Sequence, residues 1–258
     1  MKKGWFKKTP LWMKIIIGMV LGIIFGLVAV QLHLEKFTSD WIKPWGTIFI
    51  KLLKLIAVPL IFVSLVKGIT SVTDLAKLSR IGIKTVAFYV VSTVIAIVVG
   101  LVLVNTFKPG ETFPEDKRAE YQAQYEASVK ESEGIAGGLK DQSPLFIIED
   151  MVPENIVNAA SDNTKMLQII FFSILFSIAM IVLEAKKVTV VKGLFDGLND
   201  IILKIVDIIM GFAPIGVFAL LSALITEFSG DAELFLALGK YALLTILGLL
   251  GLIVFLYP

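Results

Sequence analysis

Trp41–Gly68, WIKPWGTIFIKLLKLIAVPLIFVSLVKG, is the stretch that decides the architecture. Two tryptophans, Trp41 and Trp45, open it, and tryptophan settles where a bilayer meets water. Lys51 and Lys54 follow, and then an uncharged, almost wholly apolar run from Leu55 to Val66. Pro59 falls inside that run, where it removes a backbone donor and bends a helix. At about 1.5 Å per residue, a helix of this length outreaches a roughly 30 Å hydrocarbon core, so it tilts or protrudes. Lysine at membrane depth is costly unless it faces water or a partner. Lys51 and Lys54 therefore either look into a water-filled vestibule or snorkel toward the headgroups. A segment with these properties is more than an anchor, and the remaining runs show what lies beside it.

Those runs are membrane spans. The 258 residues are 57% hydrophobic and only 18% charged, with a mean hydropathy of +0.86, which excludes an ordinary soluble domain. Further uncharged or nearly uncharged runs cover Ile15–Leu32, Thr85–Phe107, Met166–Leu183, Ile208–Thr226 and Tyr241–Pro258, giving six spans in all. The chain contains no cysteine and one histidine, His33, so thiolate and histidine-cluster metal sites are excluded. No phosphate-binding glycine loop, HExxH or GxSxG pattern is present. No enzyme is expected, and no nucleic-acid partner.

Charge sets the orientation. Lys2, Lys3, Lys7, Lys8 and Lys14 precede or begin the first span, which has no small-x-small cleavage pattern behind it and reads as a retained helix. Lys67, Lys77, Arg80 and Lys84 mark the turn after the second span, and Lys186, Lys187 and Lys192 the turn Glu184–Lys192 after the fourth. Basic turns thus recur on one side, which predicts both ends in the cytoplasm and a multi-pass protein of the inner cell membrane. His33 falls in a short outer turn as a solvated residue. Lys108–Asp150 holds ten acids against five bases and reads as an acidic, solvated outer loop. Within it EDKRAEYQAQYEASVKESE suits a short exposed helix, followed by a linker at Gly134–Gly138.

Several polar or small residues stand out inside the spans. Gly18, Gly22 and Gly26 form a ridge at four-residue spacing that admits another helix closely, as internal packing or as an oligomer contact. Pro153, Asn155, Asn158 and Asn163 break the approach to the fourth span into short pieces, with Asn155 and Asn158 as caps. Pro214, between Gly211 and Gly216, predicts a kink in the fifth. Asp200, Lys204 and Asp207 read as an interfacial ion-paired face. Tyr89, Ser92 and Thr93 share a face of the third helix. Their hydroxyl and carbonyl oxygens suit a hard monovalent cation; the alternative is hydroxyls bonded back to their own helix and a tyrosine that packs.

Together these stretches resemble the dicarboxylate/amino acid:cation symporter family, which includes glutamate transporters and archaeal aspartate transporters. PLWMKIIIGMVLGIIFGL is similar to that family's first helix, and WGTIFIKLLKLIAVPLIFVSLVKGITSV with SRIGIKTVAFYVVSTVIAIVVG to its second and third. VPENIVNAA with MLQIIFFSILFSIAM resembles the fourth, and APIGVFALL the fifth. The resemblance covers the chain apart from the acidic insert. It implies an all-α polytopic membrane protein: six transmembrane helices that resemble the scaffold, plus part of the transport domain, of an elevator-type symporter and homotrimer.

On that basis residues 1–68 are scaffold helices one and two, and 69–107 an inner turn and helix three of the transport domain. Residues 108–150 are the outer loop, 151–228 scaffold helices four and five, and 229–258 helix six of the transport domain. The glycine ridge, Pro59 and Pro214 become scaffold packing features. Tyr89, Ser92 and Thr93 match a helix-three tyrosine and hydroxyl pair that help ligate sodium, with Ser-Thr here where the archaeal pattern is Thr-Ser. The resemblance further implies cation-coupled uptake, with Na+ or H+ as coupling ion, of glutamate, aspartate or a C4-dicarboxylate. Family members carry most substrate and sodium ligands in a serine-rich hairpin, an Asn-Met-Asp helix and a second hairpin. None of these occurs here, so the expectation is part of a longer symporter, with no substrate ligands in these residues. The alternatives are a truncated scaffold or assembly subunit and an unrelated membrane enzyme.

Overall fold

The computed structural model describes residues 9–72, 75–109, 126, 143, 145–228 and 232–256. The basic residues Lys2, Lys3, Lys7 and Lys8, the linker Gly134–Gly138 and all but Glu126 of the expected exposed helix lie outside them. Among the described residues the regular structure is helical, and six helices are long and apolar enough to cross a membrane. We number these α1 (Leu11–Gln31), α2 (Lys43–Thr70), α3 (Leu75–Phe107), α4 (Met166–Val182), α5 (Ala185–Glu227) and α6 (Ala232–Leu256).

The chain divides into two compact units. The first spans Met1–Leu75 and Ile147–Gly230 and holds α1, α2, α4 and α5; the second spans Ala76–Phe146 and Asp231–Pro258 and holds α3 and α6.

In the first unit α5 is the central element. At 43 residues it extends about 64 Å and packs along α1 and α2. One core cluster joins Phe49 and Ile56 of α2 to Ile209 and Ala213 of α5, with Ile15 of α1 against it. A second joins Val63 and Val66 of α2, Met180 of α4, and Phe195 and Ile202 of α5. Four phenylalanines fill the second cluster: Phe62 lies 5.5 Å from Phe195 and 5.9 Å from Phe172 and Phe176, ring centre to ring centre. In a bilayer, where lipid tails are as apolar as leucine, such contacts hold helices by close packing rather than by exclusion of water.

The glycine ridge of α1 shows that packing most closely. Gly18, Gly22 and Gly26 are all buried. A methyl group on Gly18 would strike the carbonyl of Pro214. On Gly22 it would come within 2.6 Å of the Phe218 oxygen, and on Gly26 within 2.7 Å of Ile225 Cβ. The ridge therefore meets α5 of the same chain. Pro59 and Pro214 each sit within a helix that continues on both sides of them.

Two expected turns are shorter than charge alone suggested. The residues Ala185–Lys192, read as an inner turn, form the first coils of α5, leaving Leu183 and Glu184 as the connection. Likewise α3 starts at Leu75 rather than Thr85. Lysines at a helix end keep their heads in water while the backbone stays hydrogen-bonded, so charge marks the interface and not the end of the helix. At the other end of the unit, Glu35–Phe37 and a π-helical stretch, Thr38–Ile42, run directly into α2. His33 is exposed at φ 54°, with the Leu34 N–H donating to Ala29 O (2.8 Å) and the His33 N–H to Val30 O (3.2 Å). That is the Schellman arrangement closing α1.

In the second unit α3 and α6 carry largely exposed apolar surfaces and line a shared groove of about 460 Å³. Gly248 lets Leu103 approach there; a methyl at Gly248 would lie 2.9 Å from its Cδ1.

Candidate functional site

Tyr89, Ser92 and Thr93 lie together in the middle of α3. The Tyr89 ring is exposed and so is Thr93, whereas Ser92 is buried. The Ser92 hydroxyl donates to the carbonyl oxygen of Tyr89 at 3.0 Å. This is the back-bonding common to serine in membrane helices. It also fixes the hydroxyl and leaves its lone pairs free to accept or to ligate. The donor set is a carbonyl and three hydroxyl-bearing side chains, chemistry suited to a hard cation and unsuited to a soft one. Residues Ser92 and Thr93 are adjacent and so turn about 100° apart on the helix, which splits the shared face into a buried and an exposed half. Among the described residues no group of histidines and carboxylates is placed to hold a metal ion.

A polar cluster that no single stretch of sequence points to lies in the first unit. Ser64 on α2 donates to Asn199 Oδ1 on α5 at 3.1 Å, and Asn199 Nδ2 donates to Asp200 Oδ1 at 3.5 Å. Lys67 Nζ stands 3.3 Å from Asp200 Oδ1 and 3.8 Å from Asp196 Oδ1. Asp200 is thus not the partner of Lys204, which instead pairs with Asp207 at 3.6 Å. The expected Asp200–Lys204–Asp207 face is corrected to two separate pairings, because Asp200 turns toward α2. The signal available beforehand was Ser64 within the apolar run Leu55–Val66 and Asn199 beside Asp200; only the tertiary pairing of α2 with α5 brings them together.

The entry to α4 is built of short pieces, as its asparagines and proline implied: Phe146–Asp150, Ile156–Ser161 and a 3₁₀ turn at Asn163–Lys165. Asn155 caps the second, accepting from the N–H groups of Val157 (2.9 Å) and Asn158 (3.4 Å). Asn158 contributes its backbone oxygen to Ser161 rather than a cap. Asp162 caps the third: the backbone N–H of Thr164 and then its hydroxyl hold the Asp162 carboxyl below its ordinary range. Lys51 and Lys54 are both exposed on α2.

The sodium:dicarboxylate symporter family matches residues 11–258. A proton/glutamate-aspartate symporter of Escherichia coli is 36% identical over 231 residues, covering 86% of this chain and 50% of the relative. A proton/sodium-glutamate symport protein of Bacillus caldotenax is 32% identical, covering 88% and 51%. A C4-dicarboxylate transport protein of Bradyrhizobium diazoefficiens is 33% identical, covering 90% and 48%. The chain spans about half the length of the curated relatives it matches.

Proposed function

The chain belongs to the sodium:dicarboxylate symporter family, and from that premise we propose that it takes part, within a longer symporter, in cation-coupled uptake of an acidic amino acid or C4-dicarboxylate. The observation that carries this reading is the match over nearly the whole chain, with relatives named for glutamate, aspartate and C4-dicarboxylates. The first unit serves as scaffold and the second as part of the moving transport domain. In support, α1, α2, α4 and α5 share continuous cores, whereas α3 and α6 fall into a separate unit. The basic residues at Lys67 and at Lys186–Lys192 support a cytoplasmic amino terminus in the inner cell membrane.

Tyr89, Ser92 and Thr93 contribute part of a shell for the coupling ion. The oxygen-only donor set and the fixed Ser92 hydroxyl support that role for sodium, while three side chains fall short of a closed shell. Proton coupling is the alternative. Uptake of radiolabelled glutamate, aspartate and succinate by the full reading frame, with sodium and proton gradients imposed separately, tests the reading. Accumulation of one of these anions under either gradient is expected; accumulation of none overturns it.

A second reading, a scaffold subunit that assembles without transporting, is favoured by the closed packing of the first unit. Both readings place the protein in a homotrimer, which cross-linked mass in mild detergent measures. A trimer that moves no substrate under either gradient selects assembly.

A further inference from the structure

Where α4 turns into α5, the ends of α2, α4 and α5 line an open cavity of about 500 Å³ that the transport reading leaves unused. Met180, Leu183 and Val188 give it an apolar floor. Lys192 stands at its edge, with Nζ 3.0 Å from the carbonyl oxygen of Thr70 at the end of α2. That bond uses one of three ammonium hydrogens and leaves two. Gly193 also lines the cavity, and no atom would lie within 4 Å of a methyl placed on it.

Charge around the cavity favours an anion. Asp196 lines it and shares Lys67 (3.8 Å) with Asp200 (3.3 Å), Glu184 is engaged by Lys187 at 3.5 Å, and with Lys186 and Lys192 the lysines around the cavity exceed the carboxylates by one. Lys192 lines the cavity and Lys186 lies next to its lining residue Ala185 in the first turn of α5, which gains no side-chain cap from Glu184. A free phosphate ion has no use for the apolar floor. A phospholipid uses both parts: its phosphate meets the ammonium groups while its chains lie on Met180, Leu183 and Val188. Basic pockets between membrane helices on the cytoplasmic side hold anionic headgroups in this way.

We propose that the cavity lined by Lys192 and Gly193 binds one anionic phospholipid, phosphatidylglycerol-like in charge, and that the lipid cements α2 to the α4–α5 turn. The proposal uses the cytoplasmic orientation suggested above but not the transport activity, so binding and uptake fail independently.

The test is a titration of the purified protein in mild detergent with dioleoylphosphatidylglycerol, dioleoylphosphatidylcholine or inorganic phosphate, read by native mass spectrometry and melting temperature. Saturable binding of dioleoylphosphatidylglycerol, with neither of the others competing at equal concentration, is expected. Lys192→Gln and Gly193→Leu should each weaken it by roughly tenfold or more, the first through lost charge and the second by filling the cavity. Gly193→Leu keeps the Lys192–Thr70 bond, so a folding defect in Lys192→Gln does not decide the result. Lys204→Gln, an exposed lysine elsewhere on α5, should leave binding unchanged. Equal binding of both lipids, or equal loss in Lys204→Gln and Lys192→Gln, overturns a specific site. Displacement by inorganic phosphate overturns the lipid as its occupant.

Discussion

Ser222 donates its hydroxyl to the carbonyl oxygen of Gly22, 3.2 Å away on α1, while also reaching Phe218 O at 2.8 Å on its own helix. The bond exists because Gly22 has no side chain: a methyl there would lie 2.6 Å from the Phe218 oxygen and 3.1 Å from its Cα. Gly22→Ala should therefore push α1 from α5 and destabilise the first unit by about 1–3 kcal/mol. Gly68→Ala on α2, where a methyl meets nothing within 4 Å, should stabilise by up to about 1 kcal/mol through helix propensity. Melting temperatures in detergent check both, and similar behaviour of the two variants would show that the ridge is not the closest contact in the unit.

The phenylalanine cluster predicts a larger loss. Phe195 is buried, with Phe62 at 5.5 Å and Phe176 at 5.6 Å between ring centres, so it bridges α2, α4 and α5. Phe195→Ala should cost about 3–5 kcal/mol, and Phe195→Leu distinctly less because it fills more of the space. Chemical or thermal unfolding of purified protein measures the order of the two.

How far the sequence reads as structure depends on the kind of information each element needs. Hydropathy alone places all six spans, because a helix must satisfy its backbone internally wherever lipid surrounds it. The ridge at Gly18, Gly22 and Gly26 is legible as a close-packing face, since the spacing is a property of one helix. Its partner is not: Pro214, Phe218, Ser222 and Ile225 lie some 200 residues away, and nothing local points to them. Asp200 shows the same limit. Along the helix Lys204 is its natural partner, yet Lys67 holds it, because the approach of α2 places a second cation nearer. The start of α5 is hidden in the sequence for another reason. Charged residues stay helical at the interface, so the polar run Glu184–Lys192 resembled a loop while its backbone continued the helix.

Lys43 and Glu227 meet at 3.0 Å on the opposite end of the unit, but both side chains remain well exposed. Their coupling in a double-mutant cycle of Lys43→Ala and Glu227→Ala should be below about 1 kcal/mol and should fade as salt is raised. A coupling that persists at about 1 M salt would mean that the pair is far drier than its exposure indicates.

Acid should loosen the turn before α4. The Asp162 carboxyl is held below its ordinary range by Thr164, so the folded form binds its proton more weakly than the unfolded chain does. Its contribution is thus complete above the unfolded carboxylate range and is lost as pH falls through the lowered folded value. Amide exchange at Thr164 should quicken in that acid window relative to the amides within α4, and Asp162→Ala should make it quick at neutral pH. A Thr164 amide that is equally protected in the variant would remove the cap from the account.

The ion-ligand role of α3 is separable from its structural one. Ser92 is buried and bonded to Tyr89 O, so Ser92→Ala loses that bond in any case and should lower the melting temperature modestly. Thr93 is exposed, and Thr93→Ala should leave stability nearly unchanged. If both hydroxyls ligate the coupling ion, each alanine variant of the full symporter should raise half-saturating sodium by roughly tenfold, the loss of one ion–oxygen contact, while saturating sodium restores the uptake rate. Thr93→Ser, which keeps the oxygen, should behave nearly as the parent. A purely structural role predicts the reverse: Ser92→Ala shifts the melting temperature, Thr93→Ala does nothing, and the sodium dependence stays where it was. Uptake that ignores sodium and follows the proton gradient in all three variants would remove the cation from this face of α3 altogether.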